Sequence, residues 1–133
     1  TALAISTAGK SPPTEIINSL ILLGSAAQSQ AHYPEAEICY RRAIAIGESS
    51  GLTGDSYYVL ALLSLGNVLL TQDRLAEALP LAQKGISIAE RSPAARLHLS
   101  SGLGLMALIL ERQSRFAEAE SLLKRKLAAT EAT

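Results

Sequence analysis

The sequence predicts an all-α fold in which antiparallel helical hairpins stack into an α-solenoid. Three observations predict it: a motif that recurs three times, a nearly constant spacing between its copies, and a composition rich in small and aliphatic residues. Apolar residues make up 48% of the chain, yet only 4% of the residues are aromatic and tryptophan is absent. Alanine, leucine and isoleucine suit close helix packing better than they suit a β-sandwich.

The recurring motif places large aliphatic residues around one small residue. Its three copies are Leu20-x-x-Leu23-Gly24-x-x-Ala27, Leu62-x-x-Leu65-Gly66-x-x-Leu69 and Leu103-x-x-Met106-Ala107-x-x-Leu110. An alanine follows each small residue twelve positions later, and the three alanines recur at a nearly constant interval: Ala36, Ala78 and Ala119. An interval of this size is typical of solenoids, in which each hairpin buries its apolar face only against its neighbours.

The chain is predicted to begin inside a repeat. Ala2-Leu3-Ala4-Ile5 stands one repeat interval before Ala43 and matches the second-helix position that Ala43 occupies. Residues 2–8 are therefore expected to form the partial helix of a preceding repeat, which Pro12-Pro13 separates from the next helix. This phase predicts that Thr1 is a cut end and that the parent protein is longer.

Three complete hairpins are predicted to follow. Pro34 suits the first turn of a helix, Gly51 and Gly54 mark a loop, and Ser92-Pro93 opens the third hairpin. We expect helices over residues 14–30, 34–49, 55–71, 75–91, 93–113 and 116–130. The linkers are short, which predicts antiparallel neighbours. Residues 1–133 are taken as one domain, with residues 1–13 as half-repeat and linker and repeats over residues 14–51, 52–92 and 93–133.

Small residues are expected where the two helices of a hairpin cross, because they let the backbones approach each other. Larger side chains nearby are then expected to fill the remaining space: Leu23, Tyr40, Leu65, Leu69, Leu110 and Leu123. One further position at the start of each second helix is expected to plug the closed end of the hairpin: Tyr33, Leu75 and Phe116. These positions are interpreted as structural.

Charge and cysteine content bear on the class of protein. Twelve basic and twelve acidic residues give a net charge of zero, so no overall field attracts nucleic acid or an anionic membrane. The single cysteine, Cys39, excludes an internal disulfide and favours a reducing, cytoplasmic location. The most apolar run, residues 57–70, is too short to span a bilayer. We therefore expect neither a nucleic-acid nor a membrane partner.

No arrangement of residues predicts catalysis, a metal site or a cofactor. His32 and His98 belong to different predicted hairpins, and with Cys39 they do not form a zinc-binding pattern. A basic cluster near the C-terminus is interpreted as a solvated helix end that the helix dipole favours: Arg112, Arg115, Lys124, Arg125 and Lys126. The chain is predicted to be non-enzymatic.

The pattern resembles the tetratricopeptide repeat, whose Leu-Gly and alanine positions it matches over residues 17–129. Leucine stands at the family's tryptophan position in each repeat. The period, about 42 residues, is longer than usual for the family and is similar to that of the kinesin-light-chain type. The segment Tyr33-Pro34-Glu35-Ala36-Glu37-x-x-Tyr40-x-x-Ala43 is similar to that type as well. The resemblance implies a right-handed superhelix that acts as a protein-interaction module, and it leaves the partner open.

In this family the first helices of the hairpins line a concave, peptide-binding groove. Carried onto this sequence, the resemblance implies a groove formed by Asn18, Ile21, Ser25, Gln28, Leu60, Leu63, Asn67, Leu70, Leu108 and Glu111. Asn67 matches an asparagine able to pair with a peptide backbone. Apart from the adjacent Arg112, this groove is expected to carry no lysine or arginine, which disfavours an acidic chaperone tail. A neutral, leucine-rich groove suits an apolar peptide or an amphipathic helix.

Two other functions stay open at this point. The array could self-associate into a homo-oligomer, through its groove or through its ends at residues 2–5 and 122–127, because large exposed apolar patches mark interaction sites. It could also be the regulatory segment of a larger signalling or transcription protein. The first alternative predicts a molecular mass that rises with concentration.

Overall fold

The described part of the chain is helical throughout. The computed structural model describes residues 11–131, and this range contains helices and turns but no strand. The helices are α1 (Pro13–Ser29), α2 (Tyr33–Ser49), α3 (Ser56–Thr71), α4 (Leu75–Arg91), a 3₁₀ helix (Pro93–His98), α5 (Leu99–Arg112) and α6 (Phe116–Glu131). The partial helix expected at residues 2–8 lies outside the described residues.

The helices pair along the chain and stack as a solenoid. α1 packs on α2, α3 on α4, and α5 on α6, while α2 contacts α3 and α4 contacts α5. The first helices of successive hairpins also touch, since α1 contacts α3 and α3 contacts α5. The predicted all-α solenoid fold is therefore confirmed, and one face of the array is formed by α1, α3 and α5.

The turns inside the three hairpins share one conformation. Ala31, Asp73 and Ser114 have φ angles of 62°, 60° and 63°, which lie in the left-handed region. In each turn the amide of the following residue donates to a carbonyl five positions earlier, at 2.8 Å: His32 to Ala27, Arg74 to Leu69, and Arg115 to Leu110. This pairing closes the C-terminus of the first helix and reverses the chain.

The small motif residues lie at close helix approaches, as predicted. A Cβ atom placed on Gly24 would lie 2.6 Å from Cε1 of Tyr40 on α2. The three repeat alanines are buried, and so are four of the large neighbours expected to fill the space around them: Tyr40, Leu65, Leu69 and Leu110.

Three of the large side chains that were predicted to be buried are exposed. Leu23 is 58% exposed, Leu123 is 46% exposed and Phe116 is 62% exposed. Tyr33 and Leu75, which occupy the same repeat position as Phe116, pack against the main hydrophobic core. Leu23 lies on the first described helix and Phe116 on the last, where the described residues supply no further hairpin to cover them. Leu123 instead lines a cavity together with residues of α3 and α5.

The third hairpin begins differently from the other two. The helix expected over residues 93–113 opens as the 3₁₀ helix Pro93–His98 before α5 continues it. By length and composition alone, the combined segment Pro93–Arg112 could cross a membrane, with a mean hydropathy of 1.3. It packs against α3, α4 and α6, and a core helix passes the same test.

Candidate peptide-binding groove

Two cavities lie side by side on the face made by α1, α3 and α5, and they share three lining residues. They have volumes of about 590 and 520 Å³. Both are lined by Leu60, Ser64 and Asn67, which are spaced four and three positions apart and so lie on one face of α3. α3 thus forms the floor where the two cavities meet, and we call the combined surface the α3 groove.

The first cavity lies between α1, α2 and α3, and the second lies between α3, α5 and α6. The first is further lined by Ile21, Leu22, Ser25, Gln28, Ser29 and Tyr40. The second is further lined by Leu63, Ser101, Gly104, Leu105, Leu108, Leu123 and Lys126.

Seven of the ten residues implied by the family resemblance line the groove. These are Ile21, Ser25, Gln28, Leu60, Leu63, Asn67 and Leu108. Asn18, Leu70 and Glu111 line neither cavity. Leu70 is only 5% exposed, and its carbonyl accepts a hydrogen bond from Arg112. Glu111 is exposed in the last turn of α5.

The comparisons with known proteins agree with this architecture. Two family models of the tetratricopeptide repeat match the chain, one over residues 59–92 and the other over residues 103–133. The first range covers most of α3 and all of α4, and the second covers most of α5 and all of α6. The chain is a tetratricopeptide repeat protein. No curated protein matches it. Tetratricopeptide repeats are protein-interaction scaffolds, and that general role applies here.

The groove of this tetratricopeptide repeat protein includes side chains from second helices, where the family resemblance implies only first-helix residues. Tyr40 comes from α2, while Leu123 and Lys126 come from α6. The expectation that only Arg112 would bring a positive charge to the groove is therefore wrong. A signal was present in the sequence, because Lys126 occupies the repeat position of Ala43 and Gly85. A long side chain at a position that is otherwise small must extend away from the helix crossing.

In the second and third hairpins, a large side chain from one helix lies over a glycine of the other helix. The large residue is on the first helix in the second hairpin and on the second helix in the third hairpin. In the second, Leu63 on α3 lies over Gly85 on α4, where an added Cβ atom would lie 2.7 Å from Cδ2 of Leu63. In the third, the small residue is Gly104 on α5, and a Cβ atom there would lie 3.2 Å from Nζ of Lys126 on α6. Gly104 therefore provides the space through which the Lys126 side chain reaches the groove.

Some polar groups in the groove are already hydrogen-bonded within the protein, and one is not. The Tyr40 hydroxyl donates to Oε1 of Gln28 at 2.9 Å, and burial raises the pKa of that phenol. Among the described residues, the side-chain amide of Asn67 has no hydrogen-bond partner. Asn67 is exposed on the groove floor, so its amide can both donate to and accept from a bound chain.

One serine–histidine pair lies outside the two cavities. Oγ of Ser56 lies 2.8 Å from Nε2 of His98, and burial lowers the pKa of this histidine. No carboxylate of the described residues contacts His98, so the pair lacks the third group of a nucleophilic triad. The described residues also contain no group of three metal-binding side chains.

Proposed function

We propose that this tetratricopeptide repeat protein binds an extended, apolar segment of a partner protein along the α3 groove. The observation that carries the proposal is that Leu60, Ser64 and Asn67 of α3 line both cavities. A bound segment can therefore cross α3 without a break in contact.

The exposed side chains of the groove favour an apolar ligand. Leu22 is 62% exposed, Leu108 is 52% exposed and Leu123 is 46% exposed, and all three line the cavities. Covering such side chains removes apolar area from water, which contributes roughly 25 cal/mol per Å² before the costs of association. This gain supplies affinity but does not by itself specify the ligand's backbone conformation.

The unpaired amide of Asn67 favours an extended segment over a helix. A helical ligand has already paired its own backbone groups, whereas an extended chain presents peptide N–H and C=O groups that need partners. Asn67 can supply one donor and one acceptor at the centre of the groove. The apolar surface and the amide together fit a leucine-rich extended peptide.

Peptides selected from a random displayed library on the wild-type protein provide the test. Their affinities would be measured by fluorescence polarisation for the wild type and for Leu108→Asp and Asn67→Ala. We expect Leu108→Asp to weaken binding on the order of tenfold or more, because it places a charge against the apolar part of the ligand. Asn67→Ala should weaken it by roughly fivefold, the value of about one hydrogen bond.

Leu97→Asp is the matched control. Leu97 is 69% exposed on the 3₁₀ helix and lines neither cavity. This variant should bind like the wild type, and circular dichroism should show the same helicity in all four proteins. Equal binding by Leu108→Asp and Leu97→Asp would place the ligand on another surface. Leu63 is unsuitable as a probe because it is only 6% exposed and its substitution would damage the core.

A second candidate function is self-association through the last described helix. Phe116 and Leu127 are 62% and 59% exposed on α6, which makes this end of the array apolar. Light scattering over a wide concentration range would detect it as a rising mass. A rise that Phe116→Glu abolishes and Leu108→Asp leaves unchanged would assign the association to this end, not to the groove.

A further inference from the structure

Lys126 differs from the cations around it on α6. The Lys124 ammonium lies 3.7 Å from a carboxylate oxygen of Glu120, and Arg125 forms an ion pair with Glu90. Lys126 has no carboxylate or hydrogen-bond partner for its ammonium among the described residues. It is also half-buried, whereas its two neighbours are exposed. The least exposed of these three consecutive cations is therefore the one that lacks a counter-ion.

The surroundings of this ammonium make an added counter-ion favourable. Among the described residues that line the two cavities, Lys126 is the only charged one. Its neighbours in the second cavity include Leu105, Leu108 and Leu123. Electrostatic attraction is stronger beside apolar groups than in open water, because the local dielectric constant is lower. A carboxylate placed there would meet one positive charge and no competing negative charge from the described lining.

Gly104 helps to determine where the Lys126 ammonium lies. A Cβ atom on residue 104 would lie 3.2 Å from Nζ of Lys126, which is tight, and at ordinary contact distances of 3.6 and 3.7 Å from Cε and Cδ. The end of the lysine side chain thus rests against a stretch of the α5 backbone that has no side chain, in the cavity that Asn67 also lines. The position of the charge is set by two residues from different helices.

We propose that Lys126 makes the α3 groove selective for a segment that carries an acidic side chain, aspartate or glutamate, next to its apolar side chains. This inference rests on the proposed function of the groove and names the chemistry of the partner. One ammonium matches the single charge of a carboxylate. A phosphate group or a nucleic acid would need several cations, which the cavity linings do not provide.

The test uses peptides as defined probes. These are nine-residue peptides with leucine at alternate positions and serine between, acetylated and amidated so that they carry no terminal charge. One serine at a time is replaced by glutamate or, in the matched peptide, by glutamine. In fluorescence polarisation against the wild-type protein, the best glutamate peptide should bind roughly tenfold more tightly than its glutamine partner. Added salt should reduce this ratio.

Variants then assign the preference to one side chain. Lys126→Met keeps a four-atom unbranched apolar side chain without the ammonium, and it should abolish the ratio, so that the glutamate and glutamine peptides bind with equal affinity. Lys126→Glu should reverse the preference towards a lysine-bearing peptide. Gly104→Ala, which displaces the ammonium without removing it, should reduce the ratio. Lys124→Met is the matched control on the same helix and should keep the wild-type ratio.

Each contrary result has a distinct meaning. Equal affinity of the wild type for glutamate and glutamine peptides would overturn the selectivity and leave the groove function standing. A ratio that survives Lys126→Met, or binding only by peptides with a free C-terminal carboxylate, would also overturn it. Failure of every peptide to bind would contradict the proposed function itself, and this inference with it.

Discussion

Two glycines on the first helices of their hairpins lie against side chains that differ in how freely they can move. Gly24 lies against the ring of Tyr40, which is 1% exposed and held by its hydrogen bond to Gln28. Gly104 lies against the flexible end of Lys126. A ring that is almost fully buried and held by a hydrogen bond has little freedom to move away from an added methyl group, whereas the end of a lysine side chain can move.

Substituting each glycine by alanine should therefore have opposite effects on stability. Gly24→Ala gains about 1 kcal/mol in helix propensity, but overpacking against Tyr40 should cost more, so that the net loss is roughly 1–2 kcal/mol. Gly104→Ala should stabilise the protein by about 0.5–1 kcal/mol, because Lys126 can shift. Urea unfolding followed by circular dichroism measures both. Destabilisation by Gly104→Ala would show that the Lys126 side chain is held rigidly.

Most of the residues that line the groove could be predicted from the sequence, but its one charged residue among the described lining, Lys126, could not. The positions of Leu60, Asn67 and Leu108 follow from the repeat, because a face of a first helix is fixed by its helical period. Lys126 lies on a second helix, where the repeat leaves room only for a small residue. Its path into the groove depends on Gly104, which lies on the preceding helix. Which of two contacting helices carries the large residue, and which the glycine, can be recognised only when their contact is known.

At the scale of elements, the three hairpin turns show what local signals can and cannot predict. Proline and glycine positions predicted where most of the helices begin and end to within about two residues. They did not predict the left-handed turn residues, because alanine, aspartate and serine occupy positions where glycine is usual. Nor did Ser92-Pro93 distinguish a 3₁₀ start from an α-helical one, since proline suits the first turn of either.

The turn at Ala31 should be a site where glycine stabilises the protein. Alanine at a φ of 62° carries the steric cost of the left-handed region, which glycine avoids. We expect Ala31→Gly to raise the free energy of unfolding by about 0.5–1 kcal/mol, after the entropic cost of glycine in the unfolded chain. Asp73→Gly should gain less, because aspartate tolerates this conformation better than alanine does.

Thermal unfolding of both turn variants would be compared with that of the wild type. Ser49→Gly, in the last turn of α2, is the control, since its backbone is helical and glycine there should destabilise. An unchanged or lower melting temperature for Ala31→Gly would mean that the turn gains from the alanine side chain more than it loses in strain.

At the scale of the whole molecule, burial is distributed unevenly along the array. α3 has ten buried residues among its sixteen, and it contacts both neighbouring hairpins. α6 has two, Ala119 and Leu122, which belong to a smaller cluster shared with α4 and α5. In a solenoid each hairpin is held by its neighbours alone, so helices with few buried contacts open first.

Hydrogen exchange should follow this gradient and should report binding to the groove. Amides of α6 are expected to exchange fastest among the six α-helices, and those of α3 slowest. A ligand that contacts Leu123 and Lys126 must hold α6 against α5, so an acidic, leucine-rich peptide should slow exchange in α6 more than in α2. In Lys126→Met the same peptide should protect α6 less. Uniform protection of all helices would instead mean that the ligand stabilises the array as one cooperative unit and does not stabilise α6 in particular.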